Sequence, residues 1–215
     1  MPRDGLIPFP AETDADELAE FAGRNCYRSF GRPNPATGTN SSYLGHILDV
    51  GHESVLEHSS VTFMVHAPRS VLTELERHRH LSFSVVSQRY VNAVKVTPLL
   101  HQPPAFALLS EELTERLDEF AAATANLYNE IHAELVEQDV DHKEARGAAR
   151  AVLPNAIDAP MVVTGNLRAW RYVIKARFHE AADPEIRELA HQILEHLRRI
   201  APNSVQDIPN EPYSY

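Results

Sequence analysis

Cysteine, tryptophan and glycine are scarce: 215 residues hold one Cys, one Trp and eight Gly. The single thiol, Cys26, excludes an internal disulfide and a zinc site built from cysteines, and it fits a reducing compartment. No glycine-rich phosphate loop occurs, so backbone cradling of the P-loop kind is excluded. No apolar run is long enough for a bilayer, and the opening MPRDGLIPFPAETDADE lacks the hydrophobic stretch of a signal peptide. The expectation is a soluble, cytoplasmic protein with no membrane partner. Positive charge is short as well: 20 Lys and Arg face 30 Asp and Glu, for a net charge of −10. A chain of that sign is not expected to lay an extended footprint on nucleic acid.

What is there is ordinary globular material, 43% hydrophobic, with its cations gathered into two islands. From Arg77 to Lys95 there are four Lys and Arg, plus His78 and His80, and no acid. From Lys143 to Arg177 there are seven cations against Glu144 and Asp158. Around them the pattern predicts one helix-rich α+β domain over 1–215 with a small, mostly antiparallel sheet. Thr13 or Asp14 caps a first helix with Leu18, Phe21 and Ala22 inward. Asn40 or Ser41 caps a second that ends at Gly51. Ser60 to Val65 alternates as a strand. Pro68 opens a helix carrying Val71, Leu72 and Leu75. Ser82 to Val91 is β-branched and aromatic and reads as extended. Glu111 to about Gln138 is a long helix with Leu113, Leu117, Phe120, Leu127, Ile131 and Leu135 on one stripe. A helix from His142 stops at Pro154. PMVVTG is a short strand, Asn166 caps a helix running to about His179, and Asp183-Pro184-Glu185 starts the last, with Ile186, Leu189, Ile193, Leu197 and Ile200 inward.

If Ser82 to Val91 is extended, Ser87 and Arg89 share a face and can grip one anion with a hydroxyl and a guanidinium. Arg146 and Arg150 lie one helical turn apart, and Arg168, Arg171 and Arg177 follow on the next helix. These residues point to a small phosphorylated ligand held by several arginines. Taken alone, Arg146 and Arg171 read as solvated helix positions. His52 and His58, in GHESVLEH, stand six apart, where a helical zinc pair needs four. A metal-dependent hydrolase on His52, His58, His78 and His80 is therefore an inferior alternative. Ser87 has no legible His and Asp partners, so phosphate binding is its more economical role than covalent catalysis.

Arg77-His78-Arg79, seven residues, then Ser87, followed by Arg89-Tyr90, resembles the signature motif of the flavin-dependent thymidylate synthases. GHESVLEH resembles that family's first flavin segment. ARAVLPN (Ala149 to Asn155), TGNLRAWRYVIKAR (Thr164 to Arg177) and EIRELA (Glu185 to Ala190) resemble its second half, so the likeness covers roughly Phe21 to Ala201. The resemblance implies a homotetramer with shared active sites, FAD as cofactor, NADPH as reductant, methylenetetrahydrofolate as carbon donor and dUMP as acceptor. It implies cofactor contacts at His52, Ser54, Glu57, Arg77, His78, Arg79, Asn166, Leu167, Arg168 and Tyr172. It implies dUMP contacts at Glu74, Arg77, Ser87, Gln88, Arg89, Arg150 and Arg177, with Arg177 the catalytic group against the uracil ring; no metal is implied. The sequence departs from the family pattern at Ser84-Val85, where a polar pair is common, at Tyr172, where a smaller polar or imidazole side chain is frequent, and at Ala181, where histidine is often found. A relative that binds nucleotide or flavin without turnover is the alternative those departures leave open.

Overall fold

The computed structural model describes residues 14–31, 34–95 and 99–215. They form seven α-helices, several short 3-10 turns and a three-stranded antiparallel sheet, the helix-rich α+β arrangement expected. The helices are α1 (Asp14–Tyr27), α2 (Asn40–Asp49), α3 (Arg69–Leu75), α4 (Glu111–Glu137), α5 (His142–Ala149), α6 (Leu167–Arg177) and α7 (Pro184–Ile200). The strands are β1 (Ser60–Val65), β2 (Ser82–Val85) and β3 (Met161–Asn166), in the order β1-β3-β2. The chain divides into two compact units, one of residues 1–63, 78–82 and 164–215, the other of 64–77 and 83–163.

The first unit contains α1, α2, α6 and α7. In α7 most of the expected stripe is present: Ile186, Ile193 and Leu197 are buried, joined by Ala190 and Leu194, while Leu189 is half-buried and Ile200, on the last turn, is exposed and not inward as expected. Asp183 caps α7 through the Glu185 amide, with Pro184 in the first turn. α1 overturns its expected phase. Its buried face is Asp16, Ala19, Glu20, Gly23 and Arg24, while Leu18 is exposed. The reason is a polar network that satisfies each buried group. Glu20 accepts from Arg24 at 2.6 Å and from Asn40 at 2.8 Å. Asp16 accepts from the amides of Asn203 and Ser204 and from the Ser204 hydroxyl. Thr13, an expected cap, lies outside the described residues. The cap of α2 is Thr39, whose side chain accepts from the Ser42 amide in a reciprocal capping box, one residue before the expected cap. Gly51, at φ +70, closes that helix in a left-handed conformation that suits glycine.

The second unit contains α3, α4 and α5. Pro68 and the buried Val71, Leu72 and Leu75 make α3 as expected. α5 is shorter than expected: it gives way at Arg150 to a 3-10 turn before Pro154. Residues 99–101 are tied to 156–158 by the His101 amide on the Ala156 carbonyl and by a 2.6 Å His101–Asp158 side-chain contact. α4 has the expected length, and its apolar stripe is only partly covered. Only Thr124 and Tyr128 are buried, and Leu113, Phe120 and Leu127 remain exposed.

Strand β2 stops at Val85 instead of running to Val91. Its last partner is the Val86 amide on the Pro160 carbonyl. The Ser87 carbonyl then accepts from both Tyr90 and Val91 amides, which folds 87–91 into a turn. Propensity read the segment as a strand; loss of a ladder partner after Pro160 decided otherwise.

Candidate active site

Each unit gathers one set of the expected site residues. In the first, α6 is the organising element. Asn166 caps it, its side chain accepting from the Ala169 amide at 2.8 Å. Trp170 anchors it to β1 through a 3.0 Å bond to the Val61 carbonyl and an edge-on contact with Phe63. Gly165, just before the helix, is required by close approach: a Cβ there would overlap Leu81 and crowd Trp170. That approach lets Leu81, which follows His78 and Arg79 in the chain, sit against the start of α6.

The last turn of α6 meets that motif. Arg177 Nε donates to His78 Nε2 at 3.1 Å, joining positions 99 apart in sequence. His78 is therefore the acceptor at Nε2, a neutral imidazole with its proton on Nδ1. Tyr172, one turn earlier on α6, packs edge-on against the His78 ring, 5.6 Å between centroids. His78 is buried and Arg79 is exposed.

A cavity of about 320 Å³ lies in the same unit, lined by Gly23, Cys26, Tyr27, Ile47, Gly51, His52, Glu53, Ser54, Val55 and Arg168. Three expected cofactor residues thus share one cavity: His52, Ser54 and Arg168. Glu57 binds Arg168 at 2.5 Å on the cavity side chain itself. Leu167 is fully buried and its amide donates to the Ser59 carbonyl, so it anchors the strand-to-helix turn and offers a ligand neither side chain nor N–H. Gly23, Cys26 and Tyr27 were not legible as lining residues. They sit at helical spacing on α1, and the inverted phase of that helix hid them.

Arg171 corrects an expectation outright. It is neither solvated nor a ligand-binding cation: it is 0% exposed. Its guanidinium donates to Asp207 at 2.6 and 2.8 Å, to Glu53 at 3.2 Å and to the Ser204 carbonyl at 2.7 Å. Burial pulls the Arg171 pKa down, but hydrogen bonds and charge from Asp207, then Glu53, outweigh it and raise the net value. Burial pushes Asp207 up, and Arg171 outweighs that, leaving its carboxyl below its ordinary value. Glu53 lies between His52 and Ser54, so this buried cluster holds the wall of the cavity.

In the second unit the turn 87–90 lies along α5. The Arg89 amide donates to Ser87 Oγ at 3.4 Å. The Arg89 side chain runs past Gly147, where a Cβ would stand 3.8 Å from its Cγ and Nε. Lys143, one turn before Gly147, sits 4.4 Å over the Tyr90 ring, and its hydrogen bond, then its charge, lowers the Tyr90 pKa. Lys143, Gly147 and Arg150 follow at helical spacing, so Arg150 continues the same face. Ser87, Arg89 and Arg150 are exposed, Gln88 is buried, and Glu74 and Arg77 follow at the end of α3. The shared-strand-face argument for Ser87 and Arg89 is replaced by a turn that presents both beside a basic helix face.

Comparison with known proteins bears on the whole chain. The family model described as "Thymidylate synthase complementing protein" matches residues 10–203. A "Probable flavin-dependent thymidylate synthase" of Mycobacterium phage L5 is 60% identical, covering 97% of this chain and 86% of the relative. A protein of the same description from Mycobacterium phage D29 is 63% identical over 94% of this chain and 87% of the relative. A "Flavin-dependent thymidylate synthase" of Mycobacterium bovis is 48% identical over 93% and 84%.

Proposed function

The chain belongs to the flavin-dependent thymidylate synthase family, whose members transfer a one-carbon group, and on that premise we propose that it methylates dUMP reductively to dTMP. FAD is the cofactor, NADPH the reductant and methylenetetrahydrofolate the carbon donor. The balance is dUMP, methylenetetrahydrofolate, NADPH and one proton giving dTMP, tetrahydrofolate and NADP+. When bound, the flavin supplies redox and one-carbon carrier chemistry that no side chain offers. The chain's own residues bind, orient and polarise.

The donor set fits that cofactor. Arg168, Ser54 and His52 offer a cation, a hydroxyl and an imidazole beside the apolar Ile47 and Val55 of one cavity, a lining suited to a group with a diphosphate and a flat ring. Glu57 occupies part of Arg168, but a guanidinium has five N–H donors and can hold a second anion. Arg77, His78, Arg79, the Asn166 backbone and Tyr172 complete the proposed flavin contacts. Ser87, the Gln88 backbone, Arg89 and Arg150 hold the dUMP phosphate, and Glu74, Arg77 and Arg177 face its nucleoside.

The observation that carries the reading is the Arg177–His78 hydrogen bond. It fixes the plane of a guanidinium at Nε and has the neighbouring imidazole as a neutral acceptor, so Arg177 is a directed cation. Such a group stabilises negative charge on the uracil ring as carbon 5 becomes nucleophilic, without reorganising at the moment of reaction. A homotetramer in the cytoplasm is part of the proposal. Leu113, Phe120 and Leu127 support it: they recur every seven residues along α4 and are 43%, 49% and 46% exposed, an apolar stripe that a second copy would cover.

The test is tritium release from dUMP labelled at carbon 5 with FAD, NADPH and methylenetetrahydrofolate. Release that needs all three, with dTMP formed, is expected. No release from folded, flavin-loaded protein would refute the synthase reading and leave a nucleotide- or flavin-binding relative, with Val85, Tyr172 and Ala181 the departures to revert.

A further inference from the structure

Arg177 is the last residue of α6, and a helix end frays unless something holds it. Phe178 closes the helix at φ −82 and ψ 64, its amide on the Ile174 carbonyl at 2.7 Å, and its buried ring stacks on His191 of α7. The next hold comes from far along the chain. The Tyr213 amide donates to the Phe178 carbonyl at 2.9 Å, and the Tyr213 carbonyl accepts from the Glu180 amide at 2.9 Å, a parallel bridge centred on His179. The Tyr215 ring stands edge-on to the His179 ring, 4.7 Å between centroids. The same segment is tied down upstream. The Ser204 carbonyl and the Asp207 carboxylate take the buried Arg171 guanidinium, and the Ile208 and Pro209 carbonyls accept from Arg198.

We propose that residues 204–215 form a positioning strap for Arg177, gripping α6 at Arg171 and the chain just past its end at Phe178 and Glu180. The family model's match stops at residue 203, so the strap lies outside the part of the chain which that match covers. Arg171 and Phe178 bracket Arg177 on its own helix. With both held, the Arg177 guanidinium has its backbone fixed on one side and its Nε fixed by His78 on the other. Tyr213 acts through its main chain: its N–H is the donor, and its ring need not touch any reacting group. The proposal rests on the catalytic role assigned to Arg177 above; the strap itself does not.

The test uses the full chain with Tyr213→Pro, which removes the donor, and Tyr213→Ala, which keeps it. Amide exchange of residues 174–182 is followed without flavin, and kcat, dUMP KM and flavin content are measured with it. Tyr213→Pro is expected to speed exchange at Phe178 to Glu180 and to lower kcat by about 10- to 100-fold, the scale of a misplaced catalytic group, with flavin content unchanged. Tyr213→Ala is expected to leave both near wild type. Unchanged exchange in Tyr213→Pro, faster exchange with unchanged kcat, or equal losses in the two variants would each overturn the strap. If Tyr213→Pro does not fold, Asp207→Asn reads the other anchor: faster exchange from Arg171 to Glu180 with lower kcat supports the strap, and no change in either refutes it. If the wild type loads flavin but never turns over dUMP, the functional reading fails, and the exchange measurement still decides whether the strap holds the helix end.

Discussion

Asp16→Ala should be among the more destabilising single changes in the first unit, although the residue sits on a helix end and far from Arg177 in sequence. Asp16 is fully buried and accepts from the Asn203 amide at 2.8 Å, the Ser204 amide at 3.0 Å and the Ser204 hydroxyl at 2.5 Å. Alanine strands two main-chain donors that cannot turn elsewhere, because Asn203 and Ser204 are themselves buried. Each stranded donor costs about 1–3 kcal/mol, so the pair costs roughly 4 kcal/mol; the hydroxyl can rotate and is counted as nothing. That is a large part of the ~5–15 kcal/mol that stabilises a typical domain. At about 2–4 °C per kcal/mol for a chain of this size, the midpoint should fall by roughly 8–16 °C. Asp16→Asn keeps one acceptor oxygen and should lose about half as much. Thermal unfolding by near-ultraviolet circular dichroism, at one fixed protein concentration because assembly shifts the midpoint, measures both. A fall of less than about 3 °C in Asp16→Ala, or equal falls in the two variants, would contradict the stranded-donor argument that sets this magnitude.

Arg177→Ala should remove turnover while flavin binding changes little, whereas Arg89→Ala should mainly weaken dUMP binding; calorimetry and single-turnover kinetics separate the two, and an Arg177→Ala enzyme that still releases tritium would remove its assigned role. Leu127→Asp on the exposed α4 stripe should shift the sedimentation profile toward smaller species, and an unchanged profile would clear α4 of any part in assembly. The lowered Asp207 pKa has a definite sign. A carboxyl depressed on folding stabilises above the ordinary carboxylate range, about pH 4, and that stability is lost as pH falls through its folded value. The gap in unfolding midpoint between wild type and Asp207→Asn should therefore be widest near neutrality and close in acid; a gap independent of pH would show that the Arg171–Asp207 charge pair is not its source.

The helices with strong local signals were legible because their information is local. Asp183-Pro184 and Asn166 cap α7 and α6 where the sequence placed them, and Gly51 ends α2 with the positive φ only glycine takes cheaply. The α+β class followed from those signals and the few strand-like runs. The motif around Arg77, His78, Arg79 and Ser87 stood out in the sequence because no acid occurs from Arg77 to Lys95. α1 was not legible: period analysis assumes that the buried face is the apolar one, and here Asp16, Glu20 and Arg24 are buried because partners from α2 and from residues 203–204 satisfy them. The α4 stripe was legible as a stripe, but its exposure was not, since periodicity finds an apolar face and not what covers it.

By itself, then, the sequence determined which residue types were available, where several helices start and stop, and that one stretch of the chain carries cations with no acid among them. Only the tertiary structure decided that Arg171 is a buried strut and Arg177 a directed cation, though both are arginines on one helix, six positions apart. The difference lies in their partners. Asp207, Glu53 and Ser204 surround the first and His78 meets the second, and pairings across that much chain are set by packing, which no local pattern encodes.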